Sequence, residues 1–90
     1  MRFEWDDRKS DENRIKRGFA FDDVKMVFLD HKRVTFLDVR RDYGEDRWTT
    51  LGQIDGRLFA LTFTMRGEII RIISARKANK RERKLYDGNN

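Results

Sequence analysis

Three β-prone runs separated by two very short turn signals constrain this chain more than any other feature. Arg47–Ile54 is followed by Asp55-Gly56, then Arg57–Met65, then Arg66-Gly67, then Glu68–Ala75. Asp-Gly suits a type I′ turn, and two-residue connections permit only antiparallel neighbours. The three runs therefore read as an antiparallel meander. Side chains alternate across a strand, so the turns also fix which residues share a face. Pairing across Asp55-Gly56 sets Trp48 opposite Phe63, Thr50 opposite Leu61 and Gly52 opposite Phe59. Pairing across Arg66-Gly67 sets Ile70 opposite Phe63 and Ile72 opposite Leu61.

One face then carries Trp48, Phe59, Leu61, Phe63, Ile70 and Ile72, a core for helices to cover. The other face divides. Leu51, Leu58, Ala60 and Ile73 form an apolar end that seats the C-terminal helix. Arg47, Thr49, Thr62, Thr64 and Arg71 form a polar end with two guanidinium groups. Arg71 interrupts the run Ile69-Ile70-Arg71-Ile72-Ile73. A charge in so β-prone a segment is costly to bury alone. It needs either a structural carboxylate, for which Glu45, Asp46 and Glu68 are candidates, or an open surface that uses it.

The remaining elements flank this meander. Phe3 and Trp5 alternate with Arg2 and Glu4, giving a strand over Arg2–Trp5. Asp6 caps a helix that runs to Arg17 and stops at Gly18. Ile15 is its clear core residue, and its apolar content is otherwise thin. A second helix, Phe21 to Leu29, buries Phe21, Val24, Val27 and Phe28 and carries Asp22 and Asp23 in its first turn. Val34–Val39 is β-prone but irregular, and Arg40 to Gly44 is a polar loop. Arg76 to Tyr86 closes the chain as a helix with Ala75, Ala78, Leu85 and Tyr86 inward. The order specifies an α+β fold, with residues 1–90 as one domain.

Charge narrows the function. Residues 1–65 hold 13 Lys/Arg and 13 Asp/Glu, so the whole net charge of +5 lies in residues 66–90. A localised basic field suits RNA, DNA or an acidic protein. With 38% hydrophobic residues, seven Phe and two Trp, the core must be compact and aromatic-assisted. Cysteine is absent, which excludes disulfides and thiolate metal sites. No apolar run reaches the ~18 residues of a membrane span, and Met1–Asp7 lacks a signal-peptide core. A cytoplasmic protein without membrane partners is the expectation.

Arg47 and Arg71 above threonines, with Arg66 at the turn and Arg76 at the strand end, suit a phosphate. The guanidinium fork matches phosphate geometry, and Thr62 and Thr64 can add hydrogen bonds. The reaction such a site supports is RNA cleavage by internal 2′-OH attack, with the cations stabilising the charged transition state. Glu45 and Asp46 are the nearest carboxylates in sequence to act as base. Lys9, Lys16 and Arg17 extend the cationic surface, with Lys80 and Arg83 on the last helix as further RNA contacts. Tyr86 either stacks on a base or packs onto the sheet. His31, in a loop, reads as a surface residue. No metal-ligand spacing or phosphate-binding glycine loop is present, so the expectation is a metal-independent endoribonuclease without a cofactor.

Phe3-Glu4-Trp5-Asp6, Lys9, Asn13, Lys16-Arg17-Gly18, Phe21 and Val27-Phe28 resemble the N-terminal pattern of BrnT-type toxins. Glu45-Asp46-Arg47, Gly52, Gly56-Arg57, Thr64, Arg66, Arg71–Arg76, Glu82-Arg83 and Tyr86 resemble the remainder. The resemblance implies the toxin of a type II toxin–antitoxin pair, with a RelE-like microbial ribonuclease fold. It further implies translation arrest through RNA cleavage, with RNA, a ribbon-helix-helix antitoxin and the ribosome as partners. Three positions depart from the pattern. Arg17 stands where His is common and stays protonated at neutral pH. Asp46 stands where Glu is more usual, and His31 where Pro is expected.

Overall fold

The computed structural model describes residues 1–40 and 42–90. Arg41, in the expected polar loop, lies outside them. The elements run β1 (Arg2–Trp5), α1 (Asp7–Arg17), α2 (Phe21–Val24), a 3₁₀ segment (Lys25–Leu29), β2 (Val34–Leu37), β3 (Trp48–Ile54), β4 (Arg57–Arg66), β5 (Ile69–Lys77) and α3 (Lys80–Gly88). The sheet order is β1-β5-β4-β3-β2. The expected meander is β3-β4-β5, and β2 joins β3 antiparallel. β1 joins β5 in parallel, which the long connection from Asp6 to Glu68 permits. The α+β class stands.

Asp55 and Gly56 both adopt positive φ, at 49° and 79°, as a type I′ turn requires. Trp48↔Phe63, Thr50↔Leu61 and Gly52↔Phe59 follow as expected. The second turn corrects the expected register. Arg66 pairs with Ile69, so the turn residues are Gly67 and Glu68, not Arg66 and Gly67. Gly67 takes φ 61° at the first central position, where a type II′ turn wants glycine. Ile72 therefore faces Phe63, and Ile70 faces Met65. The slip is two residues, so side-chain faces are preserved up to this point.

They change beyond it. Phe63 pairs with Ile72 but Thr62 pairs with Ser74, leaving Ile73 as the extra residue of a β-bulge. Ile73 was expected with Leu51, Leu58 and Ala60 under the last helix. That cluster instead contains Tyr86, Val34 and Ala78, while Ile73 lies beside α1 residues Asn13 and Arg17. The bulge resets the alternation, so Ala75 enters the other core and Arg76 sits opposite Ala60. Arg71 and Arg76 are five residues apart and would occupy opposite faces of a regular strand. Here they share one.

α1, α2 and the 3₁₀ segment cover the face bearing Phe59, Leu61, Phe63, Ile70 and Ile72. Phe28 packs edge-on against Phe63, and Phe19 against Phe59. Gly52 allows the close approach of the 3₁₀ segment: a Cβ there would lie 2.4 Å from Val27 Cγ1. The second helix thus becomes one α-turn followed by 3₁₀ structure, with its four expected core residues all buried.

α1 corrects an expectation. Ile15 is 81% exposed, and the helix docks through Ser10 and Asn13. Ser10 Oγ accepts from Phe21 N–H at 3.0 Å, and Asn13 Nδ2 donates to Phe19 O at 2.9 Å. Two small polar side chains satisfy the backbone of the α1–α2 connection, which a hydrophobic residue could not do. α3 lies on the opposite sheet face and starts at Lys80, not Arg76. Asn79 and Glu82 form a reciprocal capping box. That start turns Tyr86 inward, as expected, but leaves Leu85 exposed, contrary to expectation.

Candidate nucleic-acid interface

The sheet face opposite α1 and α2 gathers most of the expected arginines. Arg71 pairs across the ladder with Thr64. Trp48 pairs with Phe63, so the residue before β3, Arg47, reaches the level of Thr64. After the bulge, Arg76 lies opposite Ala60 on the same face. Thr49, Thr62 and Thr64 are buried, so they form a sealed floor. Thr64 Oγ1 donates to Asp46 O at 2.7 Å, which anchors the strand entry.

Each of the three arginines has a carboxylate partner. Arg71 Nη1 donates to Glu4 Oε2, and both side chains are about one-third exposed or less. Glu45, Asp46 and Glu68 were the expected partners. The parallel pairing of β1 brings Glu4 beside Arg71 instead. The signal was present in Phe3-Glu4-Trp5, whose alternation turns Glu4 away from the core. Arg47 Nε donates to Glu45 Oε2 at 3.2 Å, and its guanidinium lies 4.0 Å from the Tyr43 ring centroid. Arg76 makes a bidentate contact to Glu82, at 2.7 and 2.9 Å. The hydrogen bonds to Glu82 raise the Arg76 pKa against the effect of burial, and the same bonds lower that of Glu82.

Asp38 and Arg40 adjoin this cluster and were not anticipated. Arg40 Nε and Nη2 donate to the two Asp38 oxygens at 2.9 and 2.8 Å. Those bonds outweigh burial and hold Asp38 down at about 2. Arg40, Asp38, Arg76, Glu82 and Thr49 line one cavity of about 280 Å³. Arg40 fell within a loop whose sequence carries no periodic signal, so only folding joins it to β5 and α3.

The other expected contacts scatter. Arg66 is exposed at the end of β4, and Lys80 is exposed at the start of α3. Lys9 lies on the α1 side, in a cleft with Lys16, Arg17, Glu12 and Ser74. Arg17 Nη1 donates to Ala75 O at 2.8 Å, covering part of the β5 edge that β1 does not reach. Arg83 Nη1 donates to Gln53 Oε1 at 3.0 Å. Tyr86 does not form a stacking platform. It is 5% exposed, and its hydroxyl donates to Asp30 Oδ2 at 2.6 Å. Burial, then the Asp30 hydrogen bond, push the Tyr86 hydroxyl up to about 12. Glu45 and Asp46 are both exposed, Glu45 on Arg47. His31 is exposed, as expected.

Among the described residues no helix is long and apolar enough to cross a membrane, and no three His, Cys, Asp or Glu side chains gather as a metal requires. The family model of BrnT, described as the ribonuclease toxin of a type II toxin–antitoxin system, matches residues 5–82. No curated protein matches the chain.

Proposed function

Because the chain belongs to the BrnT family of type II ribonuclease toxins, we propose that it arrests translation by cleaving RNA on the face shared by Arg47, Arg71 and Arg76. The observation that carries this reading is the bulge at Ile73, which puts Arg76 on the same face as Arg71. A scissile phosphate above the Thr49–Thr62–Thr64 floor meets guanidinium groups from β5 and from the entry to β3. The 2′-oxygen attacks phosphorus, the P–O5′ bond breaks, and a 2′,3′-cyclic phosphate and a free 5′-OH result. A carboxylate takes the 2′-OH proton, and the leaving 5′-oxygen gains one. Glu45, on Arg47 at the edge of the face, is the first candidate for that base, with Asp46 beside it. Arginines compensate the charge of the phosphorane-like transition state, so the reaction needs no metal. Arg66, Lys80 and Arg83 extend the field that steers RNA. Neutralisation by a ribbon-helix-helix antitoxin, action on ribosome-bound RNA in the cytoplasm and a RelE-like kinship of fold belong to the same reading.

A second reading is favoured by one observation: Arg47, Arg71 and Arg76 each already hold a carboxylate. A non-catalytic module would use their outer edges to track a phosphate backbone. Incubating the purified chain with single-stranded RNA in EDTA separates the two. Cleavage that disappears in Arg71→Ala, with native circular dichroism retained, supports the toxin chemistry. Intact RNA with salt-sensitive binding supports the second reading.

A further inference from the structure

Four large apolar side chains on the described surface cluster near one edge of the sheet. Phe36 is 37% exposed, Leu37 41%, Val39 77% and Leu85 43%. β2 is an edge strand, and its Val34 and Phe36 point to the side that α3 occupies, since they pair with Leu51 and Thr49. On α3, Arg81, Lys84 and Leu85 stand at i, i+3 and i+4, one helical face. Tyr86 uses the inward face, and Glu82 is held by Arg76. Between β2 and α3 runs a groove of about 730 Å³, lined by Phe36, Leu85, Arg40, Arg81 and Lys84 among others. It sets the apolar Phe36 and Leu85 beside three cations, with Glu82 and Asn79 also in the wall, a mixture found at protein interfaces. RNA would find no exposed aromatic platform on α3, and Phe36 is the single aromatic among the residues lining the groove, too little for successive bases to stack.

We propose that this groove docks an acidic amphipathic helix of the partner that neutralises the toxin. The proposal rests on reading the chain as the toxin half of such a pair. The ridge at positions 81, 84 and 85 accepts a helix packed alongside α3, with carboxylates meeting Arg40, Arg81 and Lys84. The groove is continuous with the cavity that contains Arg76 and Glu82, because Phe36, Arg40 and Glu82 line both. A helix seated here covers the Arg76 end of the RNA face, so docking and inhibition are one event.

The test is amide chemical-shift mapping on the full isotope-labelled chain. The probe is a synthetic acidic helix of about five turns, with leucines at i, i+3, i+4 and i+7 and glutamates elsewhere. Its control is a scrambled peptide of equal charge. The expected result is perturbation centred on Phe36, Arg40 and Leu85, with affinity falling at least about tenfold in Leu85→Asp and in Arg81→Glu. Both positions are exposed, so the variants keep the native spectrum. Equal binding by the scrambled peptide, or perturbation centred on α1, overturns the proposal. So does a short single-stranded RNA that perturbs Phe36 and Leu85 when the peptide does not. RNA cleavage measured on the same samples distinguishes the two failures. A wild-type chain that docks the peptide but cleaves nothing sinks the ribonuclease reading alone. A chain that cleaves RNA but docks the peptide elsewhere sinks this one alone.

Discussion

Removing the Tyr86 hydroxyl abolishes one stage of alkaline unfolding. Tyr86 reaches from α3 to Asp30, whose other hydrogen bonds come from the backbone N–H groups of Lys32 and Gln53. Asp30 follows the 3₁₀ segment on the α1 side of the sheet, so this single carboxylate ties both layers to the edge of β3. Burial opposes its ionisation, but the bonds from Tyr86, Lys32 and Gln53 prevail and its pKa is lowered. Tyr86 shifts oppositely, from 10.0 to about 12. Between those values the unfolded chain has lost the phenolic proton and the folded chain keeps it. Stability therefore falls as pH rises through this window, by about 2–3 kcal/mol for a shift of about two units. Tyr86 is 5% exposed, so solvent screening takes little from that figure. In Tyr86→Phe the chain loses about 1.5–3 kcal/mol at neutral pH with the hydrogen bond to a charged group. Above pH ~10 it loses less than wild type does. Urea denaturation at pH 7, 9.5 and 11.5 measures both effects. Parallel pH profiles for the two proteins would refute the assignment, because Tyr43 and the lysines are common to both.

Three further outcomes follow from the packing. Gly52→Ala costs about 1–3 kcal/mol by overpacking against Val27, and Val27→Ala recovers part of it in the double mutant, read from denaturation midpoints. Asp38→Asn removes an acid-labile contribution that is present above the unfolded pKa and lost as pH falls through about 2. Because Arg40 is 72% exposed, that contribution is discounted to about 1 kcal/mol, checked by comparing acid unfolding of the two proteins. Deleting Ile73 removes the extra residue of the bulge and leaves a regular strand. The cross-strand contacts Phe63–Ile72 and Leu61–Ala75 persist in nuclear Overhauser spectra, whereas a misread bulge would shift every contact beyond Thr62.

The three-strand meander, the register of its first hairpin and the buried face of the Phe21–Leu29 segment were legible because local chemistry decides them. Asp55-Gly56 demands one turn type, and Phe21, Val24, Val27 and Phe28 repeat at helical spacing. The bulge was not legible, since Ile73 is as β-prone as its neighbours and only the packing of Ala75 and Arg76 selects it. Ile15 misled because apolar content alone does not tell docking from exposure, and the contact was made by Ser10 and Asn13. Among the site residues, Arg71 was marked by its cost within an isoleucine run. Its partner Glu4 was hidden by 67 residues of separation and a parallel pairing that no turn announces. Tyr86 could stack on a base or pack onto the sheet by sequence alone, and the helix start at the Asn79–Glu82 capping box selects packing by fixing the helix face.

The measurement that bears most directly on the proposed chemistry uses two RNA strands differing at one position. The chain is incubated in EDTA with a single-stranded RNA, and with the same strand carrying a 2′-deoxy nucleotide at its main cleavage position. Wild type should yield 2′,3′-cyclic phosphate ends on the first and leave that position of the second intact. Arg71→Ala should cleave the first at least about 100-fold more slowly, a loss of about 3 kcal/mol in transition-state stabilisation. Equal cleavage of both strands, or full activity in Arg71→Ala, would contradict the account.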